Sequence, residues 1–185
     1  LFLVSQQGFV LVCEAMGDAA GALVHARQAI EMAEAASGPT LSAAARALLG
    51  QAQLLHGQGH EAATAMEEAL AIVRECRTGL ATEGGMLAVL AQAYLVAGDA
   101  GRARETAEQA VATARRRHTP VQEITAQLAL ARVLLATDGA AAATAIDAAL
   151  DAATALMEAT DARLYAPPIH AERARLARLR GDAAT

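Results

Sequence analysis

The sequence contains no tryptophan, lysine or asparagine, and only two tyrosines and two phenylalanines. So few rings exclude a core of stacked aromatics, and the scarcity of alternating β-branched and aromatic residues excludes a sheet protein. Cysteine is nearly absent too. Cys13 and Cys76 stand far apart, with no CxxC pair and no clustered histidine, so neither a disulfide framework nor a zinc site is encoded. Two free, partly buried thiols in a reducing, cytoplasmic setting are expected. No apolar run approaches the roughly eighteen residues needed to span a bilayer, so no membrane association is expected. The apolar start, LFLVSQQGFVLV, lacks a methionine, a basic region and a cleavage site. It reads as a helix cut open at a fragment boundary rather than a signal peptide. There is no GxxxxGK[ST] phosphate loop and no convergent set of ionisable groups, so the chain is expected to be no enzyme and to hold no cofactor or metal.

What is present in excess is alanine, 52 of 185 residues. Alanine is the best helix former and buries little area, so it builds cores from closely approaching helix backbones. All fifteen basic residues are arginine, and twenty acidic residues leave a formal net charge of −5. A mildly acidic domain is a poor non-specific partner for nucleic acid, and no direct nucleic-acid binding is expected.

The pattern is a helical hairpin written repeatedly. LGQAQLLHGQGHEAATAMEEAL, Leu49 to Leu70, recurs as LAQAYLVAGDAGRARETAEQAV, Leu90 to Val111. Turn positions align at Gly17, Gly57, Gly98 and Thr137, and the same offset from each leads to Ala29-Ile30, Ala69-Leu70, Ala110-Val111 and Ala149-Leu150. A fixed period of about forty residues is the signature of a solenoid. Four antiparallel hairpins are predicted, at about 1–38, 41–78, 82–118 and 119–161, with one further helix at 168–180. Together they form a single all-α domain over 1–185, a fragment of a larger protein whose exposed ends favour self-association. Locally, Asp18 is expected to cap the helix after Gly17. Ser37-Gly38-Pro39-Thr40 should end the first hairpin, and Thr119-Pro120-Val121-Gln122 should form a capping box.

These residues resemble tetratricopeptide repeats. The second hairpin offers Leu49, Gly50, Gln53, Gly57, Ala62, Met66 and Ala69; the third offers Leu90, Ala91, Tyr94, Gly98, Ala103, Ala107 and Ala110. The first keeps Phe9, Gly17, Ala22, Ala26 and Ala29 but has Val10 where a small residue belongs, and the fourth matches with a one-residue slip through Leu128-Ala129. The forty-residue period exceeds the family's usual thirty-four. The resemblance implies a right-handed α-α superhelix whose inner groove is lined from the first helix of each hairpin. By that register the groove residues are Gln51 and Leu54, Gln92 and Leu95, and Leu130 and Val133. The groove would be apolar and would take a protein or peptide. A chain without lysine or asparagine cannot build the carboxylate clamp of chaperone-binding members. The tail PPIHAERARLARLRGD is similar to the C-terminal helical regions of bacterial signalling proteins that join a cyclase or DNA-binding domain to a regulatory ATPase. This implies a transcription-regulatory or signalling scaffold, with any cyclase or ATPase activity outside these residues. The alternative is a small-molecule-sensing array coupled to such a domain.

Three clusters look chemical at first sight. His56 and His60 are separated by two glycines and a turn, which removes the shared helical face a metal would need. Asp147 and Asp151, one turn apart, read as a solvated outer face. Arg115, Arg116 and Arg117, with Arg173, Arg175, Arg178 and Arg180, read as solvated helix ends suited to the negative end of the helix dipole.

Overall fold

The computed structural model describes residues 10, 12–13, 16–36 and 38–181. Among them the chain is all-helical. We number the helices α1 (Ala19–Ala36), α2 (Pro39–Leu55), α3 (Gly59–Glu75), α4 (Glu83–Val96), α5 (Ala100–Arg116), α6 (Pro120–Thr137), α7 (Ala143–Thr160) and α8 (Ala166–Arg180). Short 3-10 turns occupy Leu80–Thr82, Gly139–Ala142 and Arg163–Tyr165. The helix predicted before Gly17, Phe9 included, falls mostly outside the described residues; Val10, Val12, Cys13 and Met16 are helical.

Each hairpin turn is made by a glycine in the left-handed region, with φ of +71° at Gly17, +79° at Gly57 and +85° at Gly98. After Gly17 and Gly98 an aspartate then starts the next helix, whereas Gln58 after Gly57 makes no side-chain cap. Asp18 Oδ1 accepts from Gly21 N at 2.9 Å, and Asp99 Oδ1 accepts from Arg102 N at 3.0 Å. These bonds satisfy donors that a helix start leaves orphaned. The second helices then present an alanine stripe at helical spacing. Ala103, Ala107, Ala110 and Ala114 of α5 are fully buried, as are Ala22, Ala26 and Ala29 of α1. Small side chains let backbones approach until no room remains. A Cβ on Gly59 would lie 2.5 Å from the backbone nitrogen of Ala97, so the start of α3 can seat on the end of α4 only through glycine.

Hairpin partners pack together, α2 with α3, α4 with α5 and α6 with α7. The hairpins stack by laying α4 against α2 and α6, and α6 against α8. The even-numbered helices, the first of each hairpin, therefore line up as one layer.

Several local expectations are corrected. The capping box at Thr119 does not form: its hydroxyl donates back to the Ala114 carbonyl at 3.2 Å, although Pro120 does open α6. The first hairpin does end at Ala36, but α2 starts at Pro39, two residues earlier than predicted. Thr137 is not a turn residue. It is the last residue of α6, its hydroxyl donating to the Val133 carbonyl at 3.0 Å, and the left-handed glycine is Gly139. The extra 3-10 turn that follows absorbs the length difference, so Ala149 and Leu150 still reach the core. Cys76 is exposed rather than partly buried, while Cys13 is half-buried; both are free thiols. Finally, Gly139–Thr160 is long and apolar enough, by length and composition, to cross a membrane. Its apolarity comes largely from alanine, and Ile146, Ala149, Leu150 and Ala153 are buried in the fold.

Candidate functional site

The stacked first helices enclose a cavity of about 790 Å³. Gln51 and Leu54 of α2 and Gln92 of α4 line it, together with Val89 of α4 and Leu128 and Arg132 of α6. The segment from Leu164 to Pro168, leading into α8, forms a further wall. Three of the six groove positions read from the sequence thus share one concavity. The other three do not line it. Leu95 and Leu130 are half-buried against the central core, and Val133 is fully buried within it.

Val133 and Leu130 fail for a geometric reason. The register that produced them matched Leu128-Ala129 to Leu90-Ala91, a one-residue slip from the turn position Thr137. Contacts between hairpins instead repeat at forty residues: Arg132 Nη1 donates to Gln92 Oε1 at 2.8 Å, and Arg132 Nε to Glu172 Oε1 at 2.8 Å. Gln92, Arg132 and Glu172 therefore occupy one equivalent position in α4, α6 and α8, and Gln51, forty-one residues before Gln92 as Gly57 is before Gly98, is their counterpart in α2. A second rung, Thr125 Oγ1 with Tyr165 Oη at 3.2 Å, has the same offset. In that register the α6 counterparts of Gln51 and Leu54 are Arg132 and Leu135. A two-residue error turns a side chain about 200° around a helix, from groove to core. The small residues at the helix crossings follow the same rule, with Gly50, Ala91 and Ala131 all buried.

Arg132 and Glu172 were missed by sequence reasoning, and the forty-residue offset from Gln92 is the signal that could have found them. Glu172 is buried, and Arg175 Nη1 also reaches its carboxylate at 3.1 Å. A second buried carboxylate, Glu83 in the first turn of α4, is held by Arg74 Nε at 2.8 Å and Arg117 Nε at 2.9 Å. Burial pushes the Glu83 carboxyl up. The hydrogen bonds and charges of Arg74 and Arg117 together outweigh that and hold it below the usual glutamate value. On the same side, Tyr94 Oη donates to Glu67, and Arg102 lies 4.0 Å over the Tyr94 ring. Burial, then the Glu67 carboxylate, push the Tyr94 hydroxyl up to about 12.

The arginines read as solvated helix ends are mostly inter-helix links. Arg115 pairs with Glu123 at 2.6 Å and Arg117 with Glu83, while Arg116 Nη2 reaches Thr113 Oγ1 at 3.3 Å. The aspartates read as a bare outer face are their counterparts: Asp147 takes Arg180 at 2.6 Å and Asp151 takes Arg173 at 2.7 Å. His56 and His60 are exposed at their turn. Among the described residues no group of three or more His, Cys, Asp or Glu side chains is placed to hold a metal.

No known family's sequence profile matches the chain, and no curated protein matches it in sequence. Among solved structures it is similar to the nearly identical TPR-like repeats of a Podosopora anserina protein described as a kinesin light chain. The TM-score is 0.65 at 22% identity, and the match covers 96% of this chain and 84% of that one. At that identity the likeness concerns the fold alone: the chain is an all-helical, TPR-like repeat array.

Proposed function

We propose that this chain is a protein-interaction module that takes a segment of a partner protein along the concave layer of α2, α4 and α6. Stacked helical repeats generate extended concave surfaces of the kind used for binding. The observation that carries the reading here is the single cavity joining three successive first helices. Its walls combine apolar side chains, Leu54, Val89 and Leu128, with an amide or guanidinium repeated once per hairpin. Apolar pockets with a few convergent polar groups are the usual form of a binding site. A peptide with apolar side chains at regular intervals and an amide-rich backbone matches both features. We extend the proposal to a non-catalytic, cytoplasmic regulatory module of a larger signalling protein, on the strength of the resemblance of the tail.

The test is peptide display against the purified chain, with counter-selection on a variant carrying Leu54→Arg and Leu164→Arg. Both positions line the cavity, and Leu164 is 74% exposed, so the second change spares the core. Selected peptides should bind the parent chain and lose binding to the variant while its helical content stays intact. Peptides that bind both forms equally would refute the groove.

A further inference from the structure

Eleven of the fifteen arginines make an ion pair with a carboxylate of the described residues. Arg27, Arg77, Arg116 and Arg178 do not. Of these four, Arg178 lines a cavity, a second one of about 410 Å³ between α6 and α8. Among the described residues its Nε donates to the Ala174 carbonyl of its own helix, at 3.2 Å. Two more guanidiniums, Arg132 and Arg175, face the same cavity, and both lean on the one carboxylate there, Glu172. Among the described residues, three guanidiniums against one carboxylate leave two positive charges without a counter-charge at this cavity, in a chain whose net charge is −5. The remaining wall is apolar: Leu135, Ala136 and Leu179, the last 51% exposed.

From this juxtaposition we infer that the α6–α8 cavity is a binding site for a small amphiphilic anion, with an oxyanion head on Arg175 and Arg178 and a short apolar body against Leu135 and Leu179. Guanidinium is the side chain best suited to a planar oxyanion, because its donors are fixed in a fork and it is always charged. Glu172 is already saturated by two arginines, so it orients Arg175 and Arg132 rather than competing as a ligand. The volume falls in the range of small-ligand sites, and the exposed Arg175, Arg178 and Leu179 make it an open cleft. The site is distinct from the concave groove of the proposed function, although Arg132 borders both cavities.

Isothermal titration calorimetry on the full 185-residue chain tests this with three probes: octanoate, inorganic phosphate and octanol. Octanoate should bind saturably at one site per chain, and more tightly than phosphate, which lacks the tail, or octanol, which lacks the charge. Arg178→Gln and Arg175→Gln should each weaken octanoate at least about tenfold, the loss expected from one charge-assisted hydrogen bond. Both side chains are largely exposed, and an unchanged thermal melt would show that the fold survives. Leu54→Arg, in the other cavity, should leave octanoate binding as it is. Absence of saturable octanoate binding overturns the inference. So does octanoate binding that is unaffected by both arginine changes, matched by phosphate or octanol, or abolished by Leu54→Arg.

Discussion

Glu83 and Glu172 are built alike and do different work. Each is a buried glutamate held by two arginines, yet Glu83 sits where the start of α4 closes on α5, with only its partner Arg74 bordering a small cavity of about 280 Å³, and Glu172 itself lines the α6–α8 cavity. At the Glu83 junction the helices touch, with Gly84 seated on Ala114. At the Glu172 end the helices stand apart, and its arginine Arg132 lines open space on both sides. The same charge chemistry is a staple where packing is closed and a feature of a binding surface where packing is open. A buried ion pair alone therefore marks neither; the neighbouring space decides.

If that contrast is right, closed packing should dominate stability. The largest expected effect is that of Gly59→Ala, at the opposite end of α4, where the start of α3 meets backbone. The added methyl meets backbone rather than a flexible side chain, so overpacking should cost about 3 kcal/mol in denaturant unfolding. A change below about 0.5 kcal/mol, the ordinary range for surface sites, would show that this contact yields.

Next in size is Glu83→Gln, expected to cost about 2 kcal/mol at neutral pH by leaving Arg74 and Arg117 without their shared charge. The sign of its pH dependence follows from the lowered native value. A carboxyl whose pKa is depressed on folding contributes stability above its unfolded pKa and loses it as pH falls through the native one. The gap between parent and variant should thus shrink as the solution is acidified below about pH 4. A gap that stays constant into that range would separate Glu83 from the stability it is assigned.

Arg132→Gln, on the open side, should cost only about 1 kcal/mol, because Arg175 still holds Glu172. It should nevertheless weaken groove-selected peptides. If it destabilised the chain more than Glu83→Gln, the division into closed and open regions would fail. The smallest effect is reserved for Tyr94→Phe, which removes the hydroxyl bonded to Glu67 and Arg102 at a cost of about 0.5–1 kcal/mol. Alkaline absorbance titration should show a tyrosinate transition near pH 12 in the parent that this variant lacks.

The sequence made the helices legible because glycine, aspartate and alanine recur with the period of the fold. Gly57 and Gly98 mark turns through their own backbone geometry, and Asp99 caps the helix it precedes. Gln51, Leu54 and Gln92 were readable for the same reason, since each lies at a fixed distance before such a turn. Beyond Gly98 the marker changed. Thr137, taken as the turn, remained helical, and the one-residue slip through Leu128-Ala129 carried Leu130 and Val133 toward the core. The contact that sets the register, Gln92 with Arg132, spans two hairpins and leaves no local trace. Glu83 was equally silent: its partners lie nine residues before it and thirty-four after, and nothing near it distinguishes a buried carboxylate from a solvated one. Thr119 misled because a capping box and a hydroxyl bonded back to the preceding helix share one sequence.

The most direct test of the concave-groove reading is an amide chemical-shift map of the chain titrated with one display-selected peptide. The expected result is a contiguous set of shifts on α2, α4 and α6, centred on Gln51, Leu54, Gln92 and Leu128, with α1, α3, α5 and α7 little changed. Shifts centred on α3, α5 or α7 instead would place the partner on the opposite layer and contradict the proposed function.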